Sequence, residues 1–175
     1  MEGQTVIQDA FWVDNKSFPT EQSPNSIYGR VFSDYYYGDS RHIGWMDISL
    51  LKSKIKELNV SHIILRNLDT LGKIADITGQ VLVCVNYTHK KNGTSPFAQK
   101  KSNLKNCEPV YATAVWGGWE FSDEDSEIPE QAIEYMKFLL VHTRVDSITC
   151  QTNKVKVTVH FASLGRIAIE TKQKL

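Results

Sequence analysis

Between Asp47 and Asn59, Ile48, Leu51, Ile55 and Leu58 recur three and four residues apart while Lys52, Lys54, Lys56 and Glu57 fill other positions. This spacing predicts an amphipathic helix whose apolar stripe faces a sheet. Val60 to Leu65 follows as a short β-branched run, suited to a strand buried on both faces. Arg66-Asn67-Leu68-Asp69 would lie at its C-terminal end, where open α/β sheets bind ligands. Val81 to Tyr87 and Glu108 to Val115 predict two further strands. Pro129 and Glu130 then form a helix start, with Ala132, Met136 and Leu139, flanked by Ile133, Tyr135 and Leu140, as an apolar face ending near Thr143. Ser147 to Cys150, Lys154 to Phe161 and Arg166 to Ile169 read as strands, the last two as a hairpin.

Two regions lack such periods. The first 45 residues mix aromatics such as Phe11, Trp12, Phe32 and Trp45 with turn formers, and predict aromatic-pinned loops with one short strand near Val6-Ile7. The segment from His89 to Asn106, with five lysines, reads as an exposed loop. Repeats, low-complexity tracts and interdomain linkers are absent from the sequence, so the expectation is one mixed α/β domain over residues 1–175.

Composition narrows the function classes. Lysine plus arginine (20) equals aspartate plus glutamate (20), so no overall field draws the chain to nucleic acid or to an anionic membrane. Neither a basic, apolar leader nor a run of about 18 apolar residues is present, and a cytoplasmic protein is expected. The three cysteines, Cys84, Cys107 and Cys150, show no metal-ligand spacing and read as buried, reduced thiols. The sequence holds no GxxxxGK[ST] phosphate loop, and no metal site is evident.

Five collinear strings carry a resemblance. They are Ser17-Phe18-Pro19-Thr20-Glu21, Arg41-His42-Ile43-Gly44-Trp45-Met46-Asp47, Ile64-Leu65-Arg66-Asn67-Leu68-Asp69-Thr70-Leu71, Val83-Cys84-Val85-Asn86-Tyr87, and Cys107-Glu108-Pro109-Val110-Tyr111 with Trp119 and Ile128-Pro129-Glu130-Gln131-Ala132 beyond. Together they resemble the closing portion of adenylosuccinate synthetases, over less than half of a family enzyme. The resemblance implies the fold of that portion, without the N-terminal phosphate loop, catalytic aspartate, catalytic histidine and magnesium site that perform the family's phosphoryl transfer.

Three family binding features have counterparts here. The family's aspartate-gripping loop corresponds to Tyr36-Tyr37-Gly38-Asp39-Ser40-Arg41, where Gly38 and Arg41 persist and Asp39 replaces an arginine. A carboxylate there would repel the aspartate substrate that guanidinium groups clamp. The family's guanine pocket corresponds to Asn67-Leu68-Asp69, and Asp69 keeps the carboxylate that accepts hydrogen bonds from the guanine edge. Its alternative role is to cap a short helix toward Ile74. The base-closing segment corresponds, without gaps, to a stretch that abandons the motif and offers Gln151 and Asn153; with gaps, to Ser163-Leu164-Gly165-Arg166. Val13 matches a valine near the inosinate ribose, or is simply core.

The resemblance therefore implies a truncated, non-catalytic homologue that binds a purine nucleotide such as GTP or GDP through Asn67 and Asp69, or binds a protein partner. The other readings are the C-terminal subunit of a split GTP-dependent synthetase, and a regulatory mimic of a full-length one. Trp12, Tyr35, Tyr36 and Tyr37 suit an interface, so a homo-oligomer or a synthetase-like partner is expected.

Overall fold

A computed structural model describes residues 2–35, 42–89, 106–122 and 127–174. Parallel strands need crossover connections, and the alternation of strand and helix after Asp47 supplies them. In chain order the strands are β1 (Gln4–Asp9), β2 (Trp12–Asp14), β3 (His42–Gly44), β4 (Met46–Asp47) and β5 (Val60–Arg66). They continue with β6 (Gln80–His89), β7 (Cys107–Trp116), β8 (Ser147–Gln151), β9 (Val155–Phe161) and β10 (Ile167–Gln173). The α-helices are α1 (Ile27–Tyr35), α2 (Ile48–Glu57), α3 (Leu68–Thr78) and α4 (Glu130–Thr143).

The larger sheet has the order β1-β5-β8-β9-β10. Its first three strands are parallel, with Ile7 beside Ile64 and Ile64 beside Thr149. β8, β9 and β10 then form an antiparallel meander. A smaller sheet sets β4 parallel to β6 and β6 antiparallel to β7. Helices lie between the two: α2 packs on β5 and on β6, and α4 packs on β8 and β9 and on β7. An interior helix needs apolar residues nearly all round. That is why Ala132, Tyr135, Met136, Leu139 and Leu140 of α4 are all buried.

Asp47 joins the helix layer to the small sheet. It is fully buried and caps α2, accepting from the Leu50 amide at 3.1 Å and from the Tyr87 hydroxyl of β6. Burial pushes its carboxyl above the usual aspartate range, against the lowering effect of the Tyr87, Leu50 and Ser49 hydrogen bonds.

The structure corrects three expectations. Residues 27–35 are not loop: α1 forms, with Ser26 Oγ accepting from the Gly29 amide at 2.9 Å. Its Tyr28 and Phe32 pack on Trp45 with ring centroids 5.6 and 5.3 Å away. Gly29 hides the helical signal in the sequence, yet a Cβ there would lie 1.8 Å from the Ser23 carbonyl oxygen.

Secondly, β5 is buried on one face only. Ile63 and Leu65 are buried, whereas His62 and Ile64 are half-buried and Arg66 is exposed. Both helices that pack on the larger sheet, α2 and α4, touch one another and so share that side. Thirdly, the stripe of α2 is displaced: Leu50 joins Ile48 and Leu51 in the core, and Leu58 is exposed, because the helix contacts two sheets. No described helix is long and apolar enough to cross a membrane.

Candidate functional site

The C-terminal ends of β1, β5 and β8 come together in register, Asp9 beside Arg66 and Leu65 beside Cys150. Beyond them opens a cleft of about 430 Å³. One wall is the turn from β5 into α3, contributing Arg66, Asn67, Leu68 and Asp69. The other is the β8–β9 turn, with Gln151, Thr152 and Asn153, together with Lys174 just past β10. Ile7, Ile64, Leu65, Cys150 and Phe121 supply the apolar part.

The first wall is built on a buried carboxylate. Asp9 accepts from Arg66 Nε at 3.0 Å and Nη2 at 3.4 Å, and from Asn67 Nδ2 at 2.7 Å. Its neighbour Gln8 donates to the Asp9 carbonyl at 3.2 Å and accepts from Lys54 Nζ at 2.9 Å. A buried carboxylate requires such donors. Asn67 sits in the left-handed region (φ 58°, ψ 31°), which asparagine tolerates, and this sharp turn sends the chain from β5 directly into α3.

Asp69 then falls in the first turn of α3, exposed to solvent, where the helix dipole favours a carboxylate. The residue capping α3 is Asn67, so Asp69 does not serve as the cap. The Cys150 thiol is pushed up to about 11, first by burial and then by the negative charge of Asp69, which places that charge beside the end of β8.

Trp119 holds α3 in place. Its indole Nε1 donates to the Leu68 carbonyl at 2.8 Å, and it lies against Gly72, where a Cβ would meet it at 2.4–2.5 Å. On the second wall Thr152 Oγ1 accepts from the amides of Lys154 and Val155 at 3.2 and 3.1 Å, fixing the turn. Lys174 ties on to it, its amide bonding the Lys154 carbonyl at 2.7 Å and its Nζ the Thr152 carbonyl at 2.5 Å.

Of the residues singled out in the sequence, Asn67, Asp69, Gln151 and Asn153 meet in this one cleft although more than eighty positions separate the two pairs. Val13 does not line it: it pairs with Ile43 on the β2–β3 ribbon and packs against the core. Gly38 and Arg41 lie outside the described residues. Phe121 and Lys174 line the cleft without a signal in the sequence, Arg66 is legible only as part of the strand-end string, and Asp9, which supports the wall through Arg66 and Asn67, is marked as a charge closing an otherwise uncharged strand. Among the described residues no group of three His, Cys, Asp or Glu side chains is arranged to hold a metal ion. Chemically the cleft pairs an acceptor carboxylate and three amides with two cations over an apolar floor, a set suited to a planar polar ligand carrying negative charge.

Comparison with known proteins agrees with this architecture. A family model described as adenylosuccinate synthetase matches residues 14–158. Adenylosuccinate synthetase of Acetivibrio thermocellus is 32% identical over 133 residues, covering 68% of this chain and 28% of that protein. The Halothermothrix orenii synthetase is 30% identical over 132 residues, covering 70% and 29%. The chain thus spans less than a third of the length of these relatives. The structure of fully ligated adenylosuccinate synthetase from Plasmodium falciparum superposes with a TM-score of 0.66 at 24% identity, over 80% of this chain and 35% of that one, which speaks for the fold. Since the family model covers most of its length and relatives near 30% identity align across two thirds of it, the chain belongs to the adenylosuccinate synthetase family.

Proposed function

We propose that these residues act as a binding module for a purine nucleotide, with guanine held at Asp69, and that they do not make adenylosuccinate by themselves. The observation that carries this reading is the meeting of Asn67, Asp69, Gln151 and Asn153 in one cleft at the C-terminal ends of parallel strands. A carboxylate at the mouth of a helix accepts two hydrogen bonds from the N1–H and 2-amino groups of guanine, a donor pair adenine lacks. The absence of synthesis rests on sequence: the chain has no glycine-rich phosphate loop, and Asp39 stands where the family places an arginine.

Thermal-shift measurements with GTP, GDP, GMP, IMP and ATP test the reading. A ligand at about 100 times its dissociation constant adds roughly 2.7 kcal/mol, raising the melting temperature of a chain this long by roughly 5–10 °C. Guanine nucleotides should do so and Asp69→Ala should remove the shift. No shift with any of the five would end the proposal.

A second reading is that the chain supplies the C-terminal share of a synthetase completed by another polypeptide. Its support is the family match over residues 14–158 together with the shared fold. Size-exclusion chromatography of the chain mixed with a full-length synthetase, or with the N-terminal part of one, should then show a joint peak. Independent elution would dismiss it.

A further inference from the structure

We propose that Lys174 is the anion anchor of this cleft, and that the ligand class is a mononucleotide whose base lies at Asp69 and whose phosphate lies at Lys174. The inference rests on the nucleotide reading above and adds to it which residue recognises the charged end.

Three observations carry it. Lys174 is exposed yet tied down at both its backbone and its side chain. Its amide extends the β9–β10 ladder to the Lys154 carbonyl (2.7 Å), and its Nζ donates to the Thr152 carbonyl (2.5 Å) on a turn that Thr152 itself fixes. An ammonium has three donors, so two remain after that bond, and the ordering of a long side chain that normally opposes ion pairing has already occurred. Charge is also divided across the cleft. Asp69 stands on the α3 wall and Lys174 on the turn wall, matching a ligand with donors at one end and an anion at the other. Finally, 430 Å³ lies near the lower end of ligand-site volumes, roughly 300–1,000 Å³, as suits a mononucleotide.

Arg66 is the other cation of the cleft, and its guanidinium is turned to Asp9 through Nε and Nη2. Two of its nitrogens are committed to that carboxylate, whereas Lys174 Nζ bonds a neutral carbonyl. The charge that discriminates a nucleotide from its nucleoside is therefore that of Lys174.

Isothermal titration of the intact chain with guanosine and with guanosine 5′-monophosphate tests the inference. A charge-assisted contact corresponds to roughly tenfold or more in affinity, so the monophosphate should bind roughly tenfold tighter than the nucleoside. That ratio should shrink as salt is raised. Lys174→Gln should bring it toward one and Lys174→Arg should keep most of it. A wild-type ratio near one, or a ratio unchanged in Lys174→Gln, would overturn the assignment while guanosine binding left the nucleotide reading intact. Binding of neither compound would remove both.

Discussion

A left-handed backbone at Asn67 costs asparagine little and a β-branched residue considerably more. The same residue gives its amide to Asp9, so its two roles separate by choice of substitution. Glycine at 67 keeps the turn and loses the hydrogen bond, whereas valine loses both. Asn67→Val should therefore be less stable than Asn67→Gly by about 1–2 kcal/mol, the strain of a left-handed non-glycine residue. In melting temperature that is roughly 2–8 °C for a chain of this size. Equal stability of the two variants would show that the positive φ is not what the site demands. Asp9 is the counterpart case, a buried carboxylate whose three hydrogen bonds from Arg66 and Asn67 make the β5–α3 turn and the end of β1 one unit.

Helix α3 carries Asp69, and its position depends on one missing methyl group. In an exposed helix interior, replacing glycine by alanine stabilises by roughly 0.5–1 kcal/mol. At Gly72 the sign reverses, because the new Cβ would enter the Trp119 ring and carbonyl. Gly72→Ala should cost roughly 1–3 kcal/mol in chemical denaturation and should alter indole fluorescence as Trp119 leaves the Leu68 carbonyl. Elements are legible in the sequence where one period dominates. α2 shows its spacing because lysines fill the remaining positions, and β5 because it is a short β-branched run between polar neighbours. α1 is concealed by Gly29, a residue that weakens a helix in isolation and is required here by the approach of the Ser23 carbonyl. Burial of β5 on a single face is equally hidden, since its composition is that of a strand covered twice.

At the scale of the whole molecule, the cleft draws on positions from Ile7 to Lys174, and only topology brings them together. The family strings identified Asn67 and Asp69, and their ungapped continuation identified Gln151 and Asn153. Lys174 has no local mark, because a lysine near a strand end is ordinary in any sequence, and the single mark of Asp9 is a charge closing an otherwise uncharged strand. Cys150, which lines the cleft, is buried with its thiol pushed up to about 11, and the thiol of Cys84, which does not line it, is pushed up to about 12, in both cases chiefly by burial. At neutral pH the reactive thiolate of such a group is a share of roughly one in 10⁴ or less. Alkylation of the folded chain therefore runs through molecules that have momentarily opened, which makes the two sulfurs a pair of clocks. Cys84 keeps time for opening around the small sheet, and Cys150 for parting of the strand ends beneath the cleft. Saturating guanosine 5′-monophosphate should slow iodoacetamide labelling of Cys150 more than that of Cys84, followed site by site by mass spectrometry. Labelling of Cys150 in the free chain as fast as that of an unfolded peptide would mean that those strand ends are not closed at all.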